Sequence, residues 1–455
     1  MKTFRIGLLA SALFGISQAV FATCPVDGAT PFTAGPADND PDTGNGFATY
    51  LQDSEGLALE LCLDSTPPGS GNPPNCFYDP PILGNAFSEL VGFGAEGFWW
   101  LASPVFGGPN SPPQPLGLPE AVLVLGAEAA WVAEIPGPGE QFPFTRLRIR
   151  LGVLSAGYYR VTHPYGQEVY HIPSPIGGGG GRDVNDSFDI QFQPDAVNQG
   201  RVGPWLKWDP AVPPAAPAGY IGDGATAHPV IGSPCGTNYF KIEAFSDAAL
   251  TVPVPIEVGD PGGDGSNVVQ VNDFTVVGKL FTGGALPTPL VVDQTSYSRT
   301  GDGRVNVFAT APTTASLSFS GDPNIPAGPQ AMAGDGGGKY FASVALDPDA
   351  DTLPTSVQVT ATNPNNDPNT VNSDLVDVVT ITRAEYVKAT GALTIEASSS
   401  DRSPSSAPTL TAVGLGPLTD GAISTSATVA PATVTVTSSA GGSDTQPVTV
   451  INPVP

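Results

Sequence analysis

Three aspartates at alternate positions are the side chains in this sequence whose type and spacing most directly suggest chemistry. They are Asp347, Asp349 and Asp351, in a short segment before a stretch rich in threonine and valine. Carboxylate oxygens at positions 1, 3 and 5 of a loop suit a hard cation such as calcium. The segment departs from an EF-hand, because Thr352 stands where that motif needs glycine and Gln358 where it needs glutamate. The spacing predicts a calcium site, and the alternative interpretation is a solvated acidic turn.

Two further groups of side chains have metal-binding chemistry with weaker spacing. Asp38, Asp40 and Asp42 repeat the alternate pattern and take the same two interpretations. The chain also has three histidines, His163, His171 and His228. A Pro-Tyr-Gly segment after the first histidine favours a turn between the first two, which would separate their faces. We therefore expect the histidines to be structural or to lie at the surface.

Four tryptophans in two aromatic concentrations are the candidate ligand-binding residues. They are Trp99 and Trp100, and Trp205 and Trp208. Exposed aromatic faces suit the apolar faces of sugar rings, whereas such clusters also form part of hydrophobic cores. Neighbours in a strand point to opposite faces, so one of Trp99 and Trp100 can be buried while the other is exposed. No stripe of lysine or arginine accompanies them, which leaves nucleic-acid stacking without support.

Motifs for several enzyme classes are missing. The sequence contains no HExxH, GxSxG, P-loop or dinucleotide-binding pattern. A Ser-His-Asp triad and the paired carboxylates of a glycoside hydrolase need no fixed sequence spacing, so both remain open. We expect a non-enzymatic protein, and an enzyme acting on carbohydrate stays among the alternatives.

The four cysteines all lie in the N-terminal half, at Cys24, Cys62, Cys76 and Cys235. An even count in an exported chain implies two disulfides, and three connectivities are possible. We favour Cys62–Cys76, which closes a local Pro/Gly-rich loop, together with Cys24–Cys235, which would tie the mature N-terminus to the end of the first domain. Free buried thiols are the alternative. The CxxC spacing of a zinc site is missing.

The start of the chain and its charge indicate export. Residues 1–22 read as a signal peptide, with Lys2 and Arg5 before an apolar stretch and a cleavage site after Ala22. A lipoprotein site at Cys24 is the alternative. The chain has 43 acidic and 17 basic residues, a net charge of −26, which repels nucleic acid and anionic membranes. No later stretch has the length and hydrophobicity of a membrane helix.

The positions of these residues depend on strands, because 55 glycines and 50 prolines exclude long helices and coiled coils. Leu57–Leu63 and Arg146–Leu151 alternate in hydrophobicity, which predicts half-buried strands. In the second of them the leucine and isoleucine side chains are expected on one face and the arginines on the other. Further strands are predicted at Ala121–Leu125, Tyr158–Thr162, Phe188–Phe192, Tyr239–Ala244 and Phe274–Leu280.

The C-terminal part contains an internal repeat. Val291–Ala309 aligns with Val379–Ala397, where a tyrosine, a glycine and alternating apolar residues coincide. Residues 354–361 match residues 431–438 in the same way. Each unit has the length of a small β-sandwich, so the repeat predicts two tandem immunoglobulin-like domains.

The repeats resemble bacterial immunoglobulin-like modules. The segments Tyr158–Gly166, Gly232–Glu243 and Asp273–Lys279 resemble uncharacterised exported bacterial proteins. The resemblance covers most of residues 140–455. It implies the fold and export, and it brings no catalytic residues to this chain.

These observations predict an all-β protein. A disulfide-bearing β-sandwich region at residues 23–285, of one domain or two, precedes immunoglobulin-like domains at 286–375 and 376–455. The expected function is that of a structural or adhesive protein, secreted or at the cell surface, with the periplasm as an alternative location. Its expected partner is a cell-surface or matrix polymer, or a second copy of itself, and calcium is the one cofactor expected. A carbohydrate-binding or carbohydrate-degrading protein with its site in the N-terminal region is the alternative.

Overall fold

The computed structural model describes residues 30–40, 43–64, 75–177, 180–256, 266–299, 303–321, 325–326, 328–346, 352–402 and 407–452. Within these ranges the chain forms 32 strands and one helix of six residues. The all-β prediction is confirmed. The predicted signal peptide lies outside the described residues.

The first fifteen strands and the helix build the N-terminal sandwich, which we define as residues 30–280. The elements are β1 (Thr30–Ala34), β2 (Leu51–Asp53), β3 (Ala58–Glu60), α1 (Ala86–Val91), β4 (Glu96–Pro104), β5 (Glu120–Trp131), β6 (Gln141–Gly152), β7 (Gly157–His163), β8 (Gly166–Ile172), β9 (Val184–Gln191), β10 (Ala196–Gly200), β11 (Lys207–Trp208), β12 (His228–Ile231), β13 (Phe240–Phe245), β14 (Val268–Val271) and β15 (Asp273–Leu280). The larger sheet has the order β10-β1-β2-β3-β15-β4-β5-β6-β9, with β12 joining β11 to β15, and the smaller has the order β14-β13-β7-β8.

One continuous hydrophobic core joins these two sheets. The smaller sheet contributes Val161 and Ile242, and the larger contributes Leu123 and Trp99, all of them fully buried or nearly so. Because the buried side chains of both sheets form a single cluster, the two sheets are the layers of one sandwich.

Strand β6 shows how the sequence pattern builds this sandwich. Its leucine and isoleucine side chains at Leu147, Ile149 and Leu151 are fully buried, as the alternation predicted. The intervening guanidinium groups point outward and bond across to β9: Arg146 to Asp189 at 2.8 Å, Arg148 to Ser187 at 2.9 Å and Arg150 to Asn185 at 3.1 Å. The prediction of a half-buried strand is confirmed.

The remaining strands form two consecutive sandwiches, which we call the first module and the second module. The strands of the first module are β16 (Val291–Ser298), β17 (Arg304–Thr310), β18 (Ser316–Ser320), β19 (Gln330–Ala331), β20 (Ala333–Gly334), β21 (Lys339–Ala345), β22 (Ser356–Thr362), β23 (Asn369–Asp374) and β24 (Val376–Asp377). Those of the second module are β25 (Val379–Val387), β26 (Ala392–Ser399), β27 (Leu410–Ala412), β28 (Gly416–Pro417), β29 (Ala422–Ser426), β30 (Thr433–Ser438), β31 (Ser443–Pro447) and β32 (Thr449–Ile451).

The two modules share one immunoglobulin-like topology. In the first, the sheet β20-β21-β17-β16-β24 faces β19-β18-β22-β23, and in the second β29-β26-β25-β32 faces β28-β27-β30-β31. The first strand of each module has a register shift at the same place, after Val292 and after Ile381, and each module closes with a parallel pair. The one difference in strand order is β20, which pairs with the outer edge of β21; beside β29 a single bridge between Thr419 and Ala422 takes its place.

A disulfide between Cys62 and Cys76 fastens the N-terminal sandwich next to β3, which confirms the predicted pair. Both cysteines are buried and pack against Val277 of β15. Cys235 is also disulfide-bonded. Its predicted partner, Cys24, lies outside the described residues.

Candidate functional site

The turn between β2 and β3 attaches the N-terminal sandwich to the first module, and we call this contact the N-terminal joint. The Glu55 carboxylate accepts hydrogen bonds from the Thr313 amide at 2.9 Å and the Thr313 hydroxyl at 2.7 Å. Asn366 donates to the carbonyl oxygen of Gly56 at 3.0 Å. Gly56 has a φ of +85°, in the left-handed region that favours glycine. A Cβ there would also overlap the Asn366 amide oxygen, so the close contact between the turn and Asn366 requires glycine as well.

A buried ion pair connects the two modules, and we call this contact the inter-module joint. Arg299 binds Asp401 through two hydrogen bonds, Nε to Oδ1 at 2.9 Å and Nη2 to Oδ2 at 2.8 Å. Tyr297 donates its hydroxyl to the same carboxylate at 2.8 Å. The Arg299 and Asp401 side chains are only 7% and 2% exposed. The hydrogen bond to Asp401 raises the pKa of Arg299, so the guanidinium group stays charged in its buried position.

Asp377 holds the segment between the modules from the other side. Its buried carboxylate accepts the amide N–H of Gly442 at 2.9 Å and the hydroxyl of Ser399. A Cβ at Gly442 would overlap the Asp377 carbonyl, so the loop approaches this closely only because the residue is glycine. The connection between the modules is therefore fixed by hydrogen bonds on both sides.

Both joints use equivalent loops. Thr313 follows β17, and Asp401 follows the equivalent strand β26. In the same way, Asn366 lies in the loop between β22 and β23, and Gly442 lies in the loop between β30 and β31. Each module therefore contacts the domain before it with the same two loops, although the contacting side chains differ.

A cleft of about 1200 Å³ lies between the N-terminal sandwich and the first module, next to the N-terminal joint. Its N-terminal wall is mainly apolar and includes Tyr220, Ile231, Leu280 and Phe281. Its opposite wall is neutral and polar and includes Thr310, Thr314, Asn363 and Asn365. This concave site thus combines an apolar wall with amide and hydroxyl groups, a lining suited to a small organic ligand.

Asp53 organises the base of the cleft. Its carboxylate accepts three backbone N–H groups, from Glu55 at 3.0 Å, Leu57 at 2.9 Å and Trp205 at 2.9 Å. It is 2% exposed, and burial outweighs the three hydrogen bonds and raises the pKa of Asp53 to about 7. Because both oxygens are committed to the backbone, the carboxyl group positions the Glu55 turn and the segment of Trp205.

The four candidate tryptophans lie in the core. Trp99 and Trp100 are fully buried, and Trp205 and Trp208 are 1% and 4% exposed. Strand β4 has a register shift between Phe98 and Trp100, and both tryptophans belong to one hydrophobic core, where Trp99 packs on Phe192 and Trp100 packs on Trp205. Trp205 and Trp208 border the cleft but present almost no surface to it. Burial removes the stacking surface that the sugar-binding assignment requires, which corrects that expectation for all four side chains.

The histidines have separate environments. His163 is buried, and burial together with nearby Arg201 lowers its pKa to about 3. His228 is buried and stacks on Trp208 at 4.4 Å, while His171 stacks on Tyr158 at 4.2 Å at the surface. In the ranges that the structure describes, no group of three or more His, Cys, Asp or Glu side chains is placed to hold a metal ion.

The aspartate segments are only partly described. Asp347, Asp349 and Asp351 lie outside the described residues, so the calcium site stays a prediction. Asp42 also lies outside them. Asp38 accepts the amide of Asp40 at 3.3 Å, and Asp40 accepts the amide of Thr43 at 3.0 Å, so both carboxylates form local turn contacts.

Sequence reasoning missed the residues of the two joints. Glu55 precedes a glycine at a tight turn, which is a signal for a turn but not for a contact with another domain. Arg299 and Asp401 are 102 positions apart. The repeat alignment places Asp401 opposite Thr313, and only the structure shows that this shared position contacts the preceding domain.

No protein-family model and no curated protein matches this chain. Among solved structures, a chimeric titin Z1Z2 tandem is 14% identical, with a TM-score of 0.17, over 36% of this chain and 100% of its own. The 47-kilodalton lipoprotein of Treponema pallidum is 12% identical, with a TM-score of 0.18, over 64% of this chain and 86% of its own. A 1.5-MDa bacterial ice-binding adhesin is 8% identical, with a TM-score of 0.16, over 68% of this chain and 88% of its own. Similarity at this level carries no argument about function.

None of the helical structure within the described ranges is long and apolar enough to span a membrane.

We expect the stability of the N-terminal sandwich to depend on pH through Asp53. Folding raises the pKa of this carboxyl group from near 4 to about 7, so the folded state binds the proton more tightly than the unfolded state. The raised pKa contributes roughly 2–4 kcal/mol to the free energy of unfolding. This contribution is fully present below about pH 4 and is lost as the pH rises to about 7. The five tryptophans all belong to this sandwich, so urea unfolding followed by tryptophan fluorescence reports it selectively.

Asp53→Asn should reduce this pH dependence. Glu128→Gln is the matched variant, because Glu128 is also buried and its pKa is raised to about 8 despite the Arg146 guanidinium 2.9 Å away. An unchanged slope in Asp53→Asn, with the whole dependence removed by Glu128→Gln, would contradict the role assigned to Asp53.

Asp401→Asn should loosen the inter-module joint, because it leaves the Arg299 guanidinium without this carboxylate charge. Removing one partner of a buried ion pair typically costs about 3–5 kcal/mol. We expect faster limited proteolysis at residues 375–378 and a lower calorimetric melting temperature. Arg383→Gln is the control, since Arg383 pairs with Glu385 and Glu396 at the exposed surface and should change neither readout appreciably. Equal behaviour of the two variants would disprove the joint's role.

Proposed function

We propose that this protein is an exported, non-enzymatic structural or adhesive protein of the cell surface or extracellular matrix. The pair of equivalent joints carries this proposal. Each joint pairs its polar groups in one relative orientation of the neighbouring domains, and any other orientation separates these partners. A structural or adhesive protein needs a fixed orientation of its domains to support or present a binding surface. Domains that only have to stay near one another can be joined by a flexible linker instead.

Export is supported by the disulfide between Cys62 and Cys76. Disulfides of this kind persist in oxidising compartments and are rare in the cytosol. Together with the predicted signal peptide at residues 1–22, it favours secretion or display at the cell surface, with the periplasm as the alternative.

The proposed partner is a neutral or basic polymer of the cell surface or matrix. The net charge of −26 opposes association with nucleic acid and with anionic surfaces. Calcium at Asp347, Asp349 and Asp351 is part of the proposal. The bound cation would reduce the local negative charge of the first module, which would assist its contact with a neutral polymer.

Adhesion is tested by retention of the purified mature protein on intact cells and on isolated matrix of the organism that produces it. We expect saturable retention and weaker retention in the presence of a chelator. A variant with Asn in place of Asp347, Asp349 and Asp351 should show the weaker retention both with and without the chelator. Quantitative recovery of the protein unbound on both surfaces, with calcium and without, would reject the adhesive role.

A carbohydrate-binding function is the second candidate, and the lining of the cleft supports it. Sugar rings present apolar faces together with neutral hydroxyl groups. The apolar wall with Tyr220 and Phe281 suits the former, and the amides and hydroxyls of the opposite wall suit the latter. In this function the modules would hold one wall of the site in place, and the four buried tryptophans would support the domain without contacting the ligand.

Carbohydrate binding is tested with a panel of soluble polysaccharides by affinity electrophoresis and by assay for released reducing ends. If the cleft binds a neutral glycan, Phe281→Ala and Asn365→Ala should each weaken retention, roughly tenfold for the aromatic change. Phe308→Ala is the control, because Phe308 is 39% exposed on the outer face of the first module, in contact with Phe341. Neither retention nor cleavage on any polysaccharide would remove this candidate.

A further inference from the structure

The cleft beside the N-terminal joint contains a lysine side chain that the protein itself does not pair. Lys207 belongs to the lining of the cleft and is half-buried. Among the described residues, nine other lysine and arginine side chains are in ion pairs, whereas Lys207 has neither an ion pair nor a side-chain hydrogen bond. Lysine is rarely removed from water unless its charge is paired. The ammonium group therefore marks a place where a negative charge would be stabilised.

The register of strand β11 directs Lys207 towards the cleft. Lys207 lies directly opposite Ile231 of β12, which belongs to the apolar wall. Residues in direct register project from the same face of an antiparallel pair. The next residue, Trp208, projects from the other face and is part of the hydrophobic core. The ammonium group and the apolar wall are thus presented to the same space.

The carboxyl groups of the lining are occupied elsewhere. Glu55 accepts the amide and the hydroxyl of Thr313, and the buried Asp53 accepts three backbone N–H groups. Neither of them forms an ion pair with Lys207. Both carboxyl groups are therefore used within the protein, and the charge of Lys207 is available to a ligand.

Two further side chains of the lining suit a sugar ring. Phe281 is half-buried and packs against Tyr50, with 4.9 Å between the ring centroids, so its ring is held in place at the apolar wall. On the opposite wall, the exposed Asn365 side chain has no hydrogen bond to any described residue. Its amide group can donate to one hydroxyl group and accept from another. The cleft thus offers a cation, an aromatic ring and an amide to one ligand.

We propose that the cleft binds a sugar acid, namely a hexuronate unit of an otherwise neutral glycan, with its carboxylate on the Lys207 ammonium group. In this complex the apolar face of the sugar ring lies against Phe281, and a hydroxyl group bonds to Asn365. A neutral sugar leaves the ammonium group unpaired, and a fatty acid leaves the amide unused. The net charge of −26 opposes a long polyanion, which limits the ligand to isolated uronate units. The inference rests on the proposed carbohydrate-binding function and specifies its ligand class.

The test compares trisaccharides with their methyl esters by isothermal titration calorimetry on the mature protein. Each trisaccharide carries one glucuronate, galacturonate or mannuronate among neutral sugars, and the ester differs from it only in the missing charge. We expect at least one acid to bind roughly tenfold more tightly than its ester. Lys207→Gln should bind acid and ester equally. Lys388→Gln is the matched control, because Lys388 is an exposed lysine of the second module that also lacks an ion pair with any described residue.

Two more variants separate the ligand class from the function. Lys207→Arg keeps the charge and should keep the preference for the acid, which excludes misfolding at this position as the cause of its loss in Lys207→Gln. Phe281→Ala should weaken the binding of acid and ester alike. Equal binding of acid and ester by the wild type, or a preference that persists in Lys207→Gln, would overturn the ligand class and leave carbohydrate binding in place. Failure of every acid and every ester to bind would overturn both.

Discussion

The buried ion pair between Arg299 and Asp401 is the contact on which the arrangement of the modules depends. Both charges have left water, and two hydrogen bonds between them, with a third from Tyr297, replace the lost hydration. Such a pair adds little net stability compared with an apolar contact, but it is strongly destabilising when one partner is missing. Its principal effect is therefore to select one orientation of the second module, which Asp377 reinforces from the opposite side of the connection.

The cleft depends on the N-terminal joint in the same way. One of its walls belongs to the N-terminal sandwich and the other to the first module, so its shape exists only while the Glu55 turn stays on Thr313 and Asn366. Asp53 holds that turn through backbone hydrogen bonds and connects it to the segment of Trp205. A buried carboxyl group, a tight glycine turn and a loop of the first module thus act together to form one site.

Local features of the fold were predictable from the sequence, and contacts between distant segments were not. The alternation at Arg146–Leu151 and the repeat from Val291 follow from side-chain periodicity, and both were confirmed as strand and shared topology. Alternation also predicted opposite faces for Trp99 and Trp100. A register shift between Phe98 and Trp100 interrupts that alternation, and Trp100 is covered by the segment before β11, about a hundred residues away, which no local pattern reveals. The joints escaped prediction for the same reason, since Arg299 and Asp401 carry no signal that they are partners.

Small-angle X-ray scattering of the monomeric mature protein tests the central claim, that hydrogen-bonded polar joints fix the three sandwiches in one arrangement. We predict that a single conformation with the described domain orientations fits the profile, and that the profile does not change between low and high salt, because buried pairs are poorly screened. A profile that requires an ensemble of interdomain orientations would contradict the account.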